Sequence, residues 1–307
     1  MHQARAAILL ALGDHVDEGR PRAAADAMQR YVGRFRAALL RGHGRLRTVL
    51  GTIGNHDAGT GHSMTPAMVH SFEQDFGAVN DLLRFPEYGI EFVLLNAMAL
   101  DKCHAFGKEM DLLGTGPLCQ GIDAFLRDLE QVSERERTSS SRLRILLLHM
   151  PLYRPNDLGC GSARLEESGH VTYLAPFESL RVGHDVLSRE TSAKILRVVD
   201  PDLVLSGHTH AQCVHEHEGA RPNRLMPNTV EVTLPTFSWR MRPDPSYGVL
   251  SVNSNQLRLE ICTLPNELTV ITWYIGVGIA TALGVTLVFV RTGLCTSACK
   301  ISKERIH

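Results

Sequence analysis

A chain of 307 residues, 44% hydrophobic and 21% charged, can bury a sizeable core, which excludes wholesale disorder and fits one large domain or two modest ones. The 32 basic and 33 acidic residues leave a formal charge of -1, so no global field recruits nucleic acid and no nucleic-acid partner is expected. The seven cysteines form no Cys-x-x-Cys pair, which excludes a zinc ribbon or a thioredoxin-like motif and leaves the redox compartment open.

The chain alternates short apolar runs with amphipathic stretches. Residues 6–12 (AAILLAL) predict a buried strand that delivers Gly-Asp-x-x-Asp-x-Gly at Gly13 to Gly19. Residues 21–40 predict a helix with Met28, Tyr31, Val32, Phe35 and Leu39 on one face. Strands follow at 46–54 and 89–100, separated by a helix at 67–83, and a helix at 122–137 leads to a strand at 142–150. A long irregular loop, 154–185, precedes a helix over 188–199, for which Ser188 or Thr191 is the cap. The strand 202–207 opens a β-rich half, with a hairpin turn expected at 253–256. The fold class implied is α/β, with two sheets packed on each other and helices outside.

Residues 268–290 carry no charge, and as a helix they span about 34 Å, enough for a bilayer core of about 30 Å. Trp273 and Tyr274 lie near the first end, where interfacial aromatics collect. The tail beyond holds Arg291, Lys300, Lys303 and Arg305 against Glu304, so the positive-inside rule predicts a cytosolic tail. The expected organisation is a folded domain over 1–267 facing the lumen or the outside, a membrane span over 268–290, and a basic tail over 291–307. Cys295 and Cys299 are candidate palmitoylation sites or unpaired structural cysteines.

Four strand ends terminate in metal-ligand residue types: Asp14 after Gly13, Asn55-His56-Asp57 after Gly54, His149 after Leu148, and His208 with His210 after Gly207. Ligands in open α/β sheets collect at the carboxyl ends of strands, so four separate turns can converge on one crevice. Each motif alone is also a polar turn or a satisfied interior histidine. The four together, in this order, carry the functional reading.

That series resembles the calcineurin-like metallophosphoesterase superfamily. The stretches GDHVDEG, IGNHD, LLHMPLYR, DVLSRE, LVLSGHTH and PTFSWR, followed by a C-terminal span, are similar to its membrane-bound branch. That branch removes an ethanolamine-phosphate side branch from the mannose core of GPI anchors. The resemblance implies a two-sheet phosphoesterase fold and two Mn²⁺ ions. Asp14 would bridge them, Asn55, His149 and His208 would complete one site, and His210 would serve the other. His56 would protonate the leaving oxygen or stabilise the transferring phosphoryl group, with Asp57 orienting its ring. Tyr153, Arg154, Trp239 and Arg240 follow strand ends and are candidate contacts to a phosphorylated glycan. The implied partners are a GPI-anchored protein or GPI glycolipid and membrane lipid, and the implied location is the early secretory pathway, from ER exit sites to the Golgi.

The superfamily's first motif, Asp-x-His on a preceding strand, has no counterpart before Ala6, and its N-terminal anchor is missing too. One metal site would then keep four ligands and the other only Asp14 and His210, as in a chain truncated at its start. A chain truly beginning at Met1 would instead be an inactive membrane-anchored binding protein. A phosphoesterase of the same fold acting on nucleotides or phosphoproteins is a third reading, since the motifs set the reaction and the loops 101–120 and 154–185 set the substrate.

Overall fold

The computed structural model describes residues 8–17, 25–40, 48–60, 63–106, 116–136, 142–165, 174–218, 228–253 and 256–303. Strand β1 (Ile8–Ala11) is followed by helix α1 (Ala25–Leu40), then β2 (Thr48–Gly51), the short α2 (Asn55–Ala58) and α3 (Pro66–Phe76). Next come β3 (Asp81–Phe85), β4 (Ile90–Leu94), α4 (Ala97–Phe106), α5 (Gly116–Glu136), β5 (Leu143–Leu147) and α6 (Ser162–Leu165). The remainder is α7 (Arg189–Val199), β6 (Leu203–Ser206), β7 (Cys213–His217), β8 (Thr229–Thr233), β9 (Ser246–Asn253), β10 (Gln256–Thr263) and α8 (Glu267–Lys303).

A six-stranded sheet of order β3-β4-β5-β6-β8-β7 forms the centre. Its four inner strands run parallel, and β3 and β7 flank them antiparallel. The inner strands are buried on both faces, which is why they read as continuous apolar runs. Alternate residues separate the two cores. Ile90, Phe92, Leu94, Ile145, Leu147, Leu203 and Leu205 pack on one side with Leu10, Leu50, Leu250 and Leu259, so the β1–β2 ladder and the β9–β10 hairpin cover that face. Val93, Leu146, Leu148 and Val204 pack on the other side with Phe72, Leu100, Leu126 and Ile195, from α3, α4, α5 and α7. The carboxyl ends of β1, β2, β5 and β6 meet at one edge of this double layer. There Thr52 N–H donates to Ala11 O at 2.9 Å and Gly207 N–H to His149 O at 2.9 Å.

Several boundaries differ from expectation. The helix predicted to run to residue 83 ends at Phe76, where Gly77 takes φ 95° and its N–H caps Glu73 O, and β3 follows. The strand predicted to run to residue 100 ends at Leu94, because Asn96 Oδ1 accepts from Ala99 N–H at 3.1 Å and turns the chain into α4. The β7 strand and the short α6 were not foreseen. The Ser188 side chain does cap α7, accepting from Thr191 N–H. Among the described residues two disulfides form, Cys103–Cys119 between α4 and α5 and Cys160–Cys213 between the loop after β5 and β7. Within α8, Glu267–Thr292 is long and apolar enough to cross a membrane. The side chains of Cys295 and Cys299, the start of the helix predicted at 21–24, and the tail residues 304–307 lie outside what is described.

Candidate metal centre

Two glycines let the ligand-bearing turns approach. A Cβ on Gly13 would stand 2.2 Å from His149 Nδ1, and one on Gly54 would stand 2.1 Å from Asp14 N. Both contacts are impossible, so the Gly-Asp and Gly-Asn-His-Asp motifs begin as they do for steric reasons. Asp14, His208 and His210 hold positive φ, at 52°, 69° and 60°. Such backbone costs about 1–3 kcal/mol for each non-glycine residue and collects where geometry serves function.

Four of the predicted ligands converge. His149 Nδ1–H donates to Leu12 O at 2.7 Å, which leaves Nε2 as its lone-pair nitrogen. His208 Nε2–H donates to His184 O at 2.6 Å, which leaves Nδ1 likewise. These two nitrogens lie 3.2 Å apart, and Asn55 Oδ1 lies 2.8 Å from one and 3.0 Å from the other. Asp14 Oδ1 stands 3.4 Å from His149 Nε2. Burial, and then the neighbouring His149, pushes His208 down to about 4, so its ring is neutral at neutral pH. With His149 in the neutral form that metal binding requires, three lone-pair atoms and a carboxylate face one another. Such a set repels itself unless a cation sits among it, and a carboxylate, an amide oxygen and two imidazoles fit a divalent ion. The backbone carbonyls of Leu12 and His184 fix the ring orientations, as outer partners of metal-bound histidines do.

Burial alone would raise the Asp14 carboxyl, but His149, the His56 backbone N–H and the His56 and His208 rings together hold it below the usual range. His210 stands on the same turn as His208. Burial lowers it, and Asp14, His149 and His56 are all close enough to act on its charge.

His56 is exposed at the edge of the cluster. Its backbone N–H donates to Asp14 Oδ1 at 2.9 Å, and its Nδ1–H donates to Asp17 O at 2.7 Å. The Asp17 carboxylate lies 4.0 Å from the same nitrogen and pairs with Arg240. Asp17, the second acid of the Gly13–Gly19 motif, is thus the residue that orients His56.

The expectation that Asp57 would do so is corrected. Asp57 is fully buried and turns back at the start of α2, where Oδ2 accepts from Gly54 N–H at 2.8 Å. It also accepts from His15 Nδ1 at 3.0 Å and from Val16 N–H at 3.3 Å. The His15 ring sits among Phe35, Phe72 and Phe76, with centroids 4.5–5.3 Å away. Asp57 therefore ties the Asp14 turn to the Asn55 turn from beneath.

The four candidate substrate contacts divide. Arg154 is 1% exposed, with Nε–H donating to Asp157 at 2.8 Å, so it is a core ion-pair residue and not a substrate contact. Tyr153 lies under the Arg189 guanidinium, 4.4 Å from its ring centroid, and its N–H donates to Ser192, which directs it toward α7 and not the metal ligands. Trp239 Nε1–H donates to Pro265 O at 3.1 Å, near the start of α8. Arg240 reaches the rim of the centre through Asp17. Arg242, unforeseen, donates from Nη1 to His210 O at 3.1 Å and grips Asp244 with Nε and Nη2, which braces the left-handed turn.

The calcineurin-like phosphoesterase family profile matches residues 2–212. The chain is 34% identical over 287 residues to metallophosphoesterase 1 of Rattus norvegicus, a match covering 87% of this chain and 64% of that protein. It is 36% identical over 287 residues to metallophosphoesterase 1 of Mus musculus, covering 87% and 63%. The chain thus spans just under two thirds of the length of these relatives. A dimetal phosphatase from Danio rerio shares the fold with a TM-score of 0.50 at 13% identity, covering 85% of this chain and 84% of that one. By the profile match over more than half of its length, the chain belongs to the calcineurin-like phosphoesterase family.

Proposed function

We propose that the chain is a divalent-metal phosphodiesterase that removes an ethanolamine-phosphate side branch from GPI-anchor mannose. The observation carrying the hydrolytic part is the set of facing lone pairs on His149, His208 and Asn55 beside the Asp14 carboxylate. The likeness to metallophosphoesterase 1 supports the substrate. Asp14, Asn55, His149 and His208 would hold one ion, and Asp14 with His210 would serve another. The mixture of carboxylate, amide and imidazole suits Mn²⁺. Bound there, the metal supplies Lewis acidity at the phosphoryl oxygens and charge against that developing in the transition state.

The chain's own chemistry centres on His56. Its Nδ1–H is committed to Asp17 O, so Nε2, when protonated, is the nitrogen that gives a proton to the leaving sugar oxygen. Hydrolysis breaks the phosphorus–oxygen bond to mannose, places the oxygen of water on phosphorus and returns a hydroxyl to the sugar. The proton from His56 prevents alkoxide charge from building on the leaving oxygen. The His56 backbone N–H holds Asp14 meanwhile, which fixes acid and metal carboxylate to each other. Arg240 at the rim meets the phosphate charge. In this reading α8 anchors the domain in an early secretory membrane, with the domain lumenal and the basic tail cytosolic.

Full-length protein in detergent, supplied with Mn²⁺, is expected to release ethanolamine phosphate from GPI intermediates. His56→Ala is expected to lower turnover about 10²–10⁴-fold with Mn²⁺ binding retained. Absence of metal-dependent turnover, or unchanged turnover in His56→Ala, would overturn the assignment.

A further inference from the structure

The loop 236–246 and the start of β9 carry a cluster of aromatics that the hydrolytic reading leaves unused. Phe237, Trp239 and Tyr247 are 59%, 43% and 44% exposed, and the Phe237 and Tyr247 rings meet edge to face at 6.3 Å. On one side this loop is fastened to the metal centre. Arg242 holds His210 O, and Arg240 pairs with Asp17, whose carbonyl holds the His56 ring. On the other side it is fastened to the base of α8. Trp239 Nε1–H donates to Pro265 O at 3.1 Å, Leu264 N–H to Pro245 O at 2.7 Å, and Glu267 N–H to Pro243 O at 2.8 Å. One path from the ligand-bearing turn to the first residue of α8 runs through His210, Arg242, Pro243 and Glu267.

This path fixes where the aromatics sit. The apolar run of α8 starts at Leu268, so where α8 crosses a bilayer, a loop bonded to residues 265 and 267 is held near the headgroup layer. Aromatic rings belong there, because their apolar faces leave water while the indole N–H and phenol O–H stay near polar partners. Exposed to water, the same cluster is an uncovered apolar patch.

We infer that Phe237, Trp239 and Tyr247 form a membrane-docking rim that holds the mouth of the metal centre against the headgroup layer. This rests on the hydrolytic reading above and on α8 crossing a bilayer. The occupant of the patch is the bilayer surface, since α8 already brings the domain to it at high effective concentration. A soluble phosphodiester would gain nothing from the rim.

The chain holds two tryptophans, at 239 and 273. Full-length Trp273→Phe protein in lipid nanodiscs therefore reports on Trp239 alone. A lipid with a nitroxide near the headgroup is expected to quench Trp239 emission strongly, and aqueous iodide weakly. Strong iodide quenching with no effect of the nitroxide lipid overturns the docking rim. In a second measurement, the Phe237→Ser, Tyr247→Ser double variant is expected to raise KM for a vesicle-borne lipid phosphodiester roughly three- to tenfold. Its turnover of bis(p-nitrophenyl) phosphate is expected to match that of the parent chain. An equal loss on both substrates, or no change on vesicles, overturns the inference. If the parent chain turns over neither substrate, the hydrolytic reading fails instead, and Trp239 quenching alone decides the docking.

Discussion

Two buried polar clusters lie at the same strand ends, and they are satisfied in opposite ways. Beneath β6 and β8, every acid meets a donor. Glu231 accepts from Leu152 N–H, Ser206 O–H and His217 Nε2–H at 3.1, 2.7 and 2.8 Å, and Asp157 accepts from Arg154 and Arg164, both at 2.8 Å. At the surface of the same layer, Asn55 Oδ1, His149 Nε2 and His208 Nδ1 face one another with their protons committed elsewhere. Residue type does not separate the clusters. Asp157, Cys160 and Cys213 gather three metal-ligand atoms within 4.8 Å, yet the two sulfurs are bonded to each other and the acid is held by two arginines. A metal site is marked by donors that the protein's own protons and cations leave unmatched.

The comparison breaks most visibly in the matched cluster. Asp157→Ala leaves Arg154 and Arg164 buried beside a missing carboxylate, and a broken buried pair costs about 3–5 kcal/mol. Urea denaturation is expected to show that loss equally with and without Mn²⁺, and a loss that Mn²⁺ restores would place Asp157 in the metal centre. The unmatched cluster is expected to answer the other way. Mn²⁺ at a hundred times its Kd adds about 2.7 kcal/mol to the parent chain. Asn55→Leu is expected to remove that increment and leave metal-free stability unchanged or raised, because one facing lone pair is gone. A large metal-free destabilisation by Asn55→Leu would show that the cluster is held by its own hydrogen bonds.

The same contrast explains what was legible in the sequence. The residues that converge at the candidate metal centre were, because their side chains are placed directly after apolar strands. The partners that orient them were not, because Leu12, Asp17 and His184 act through backbone carbonyls that any residue owns. The family resemblance assigned Asp57 to orient His56, yet neighbours on a helical turn do not face each other. Arg154 reads as a substrate contact until Asp157 is seen to hold it in the core. Strand β7 inverts the usual signal, exposing Val214 and burying His217, so alternation in hydropathy conceals it. At 89–100, residues 97–100 are buried all round, so neither the strand nor the helical period has contrast. Strands β5 and β6 had no such ambiguity, whereas the sequence left the cap of α7 between Ser188 and Thr191.

The smallest expected effect concerns Glu231 and acid. Burial alone would raise this carboxyl, but hydrogen bonds from His217 and Ser206 and the charges of His217 and Arg154 hold it below the ordinary glutamate value of 4.5. A carboxylate depressed in the folded state contributes stability fully above its unfolded value, and loses it as pH falls through the folded one. The parent chain is therefore expected to lose stability as pH drops below 4.5, with Glu231 contributing a slope of at most about 1.4 kcal/mol per pH unit. Glu231→Gln cannot titrate and keeps one acceptor for Ser206. Its stability at neutral pH is expected to be lower, and its acid limb shallower, so that the two chains converge toward low pH. Urea midpoints across that range measure both limbs. Parallel limbs would mean that folding leaves the Glu231 carboxyl at its ordinary value. A parent chain that gains stability relative to Glu231→Gln as pH falls would mean that Glu231 keeps its proton in the folded core, which would make the matched cluster a neutral hydrogen-bond network instead of a charged one.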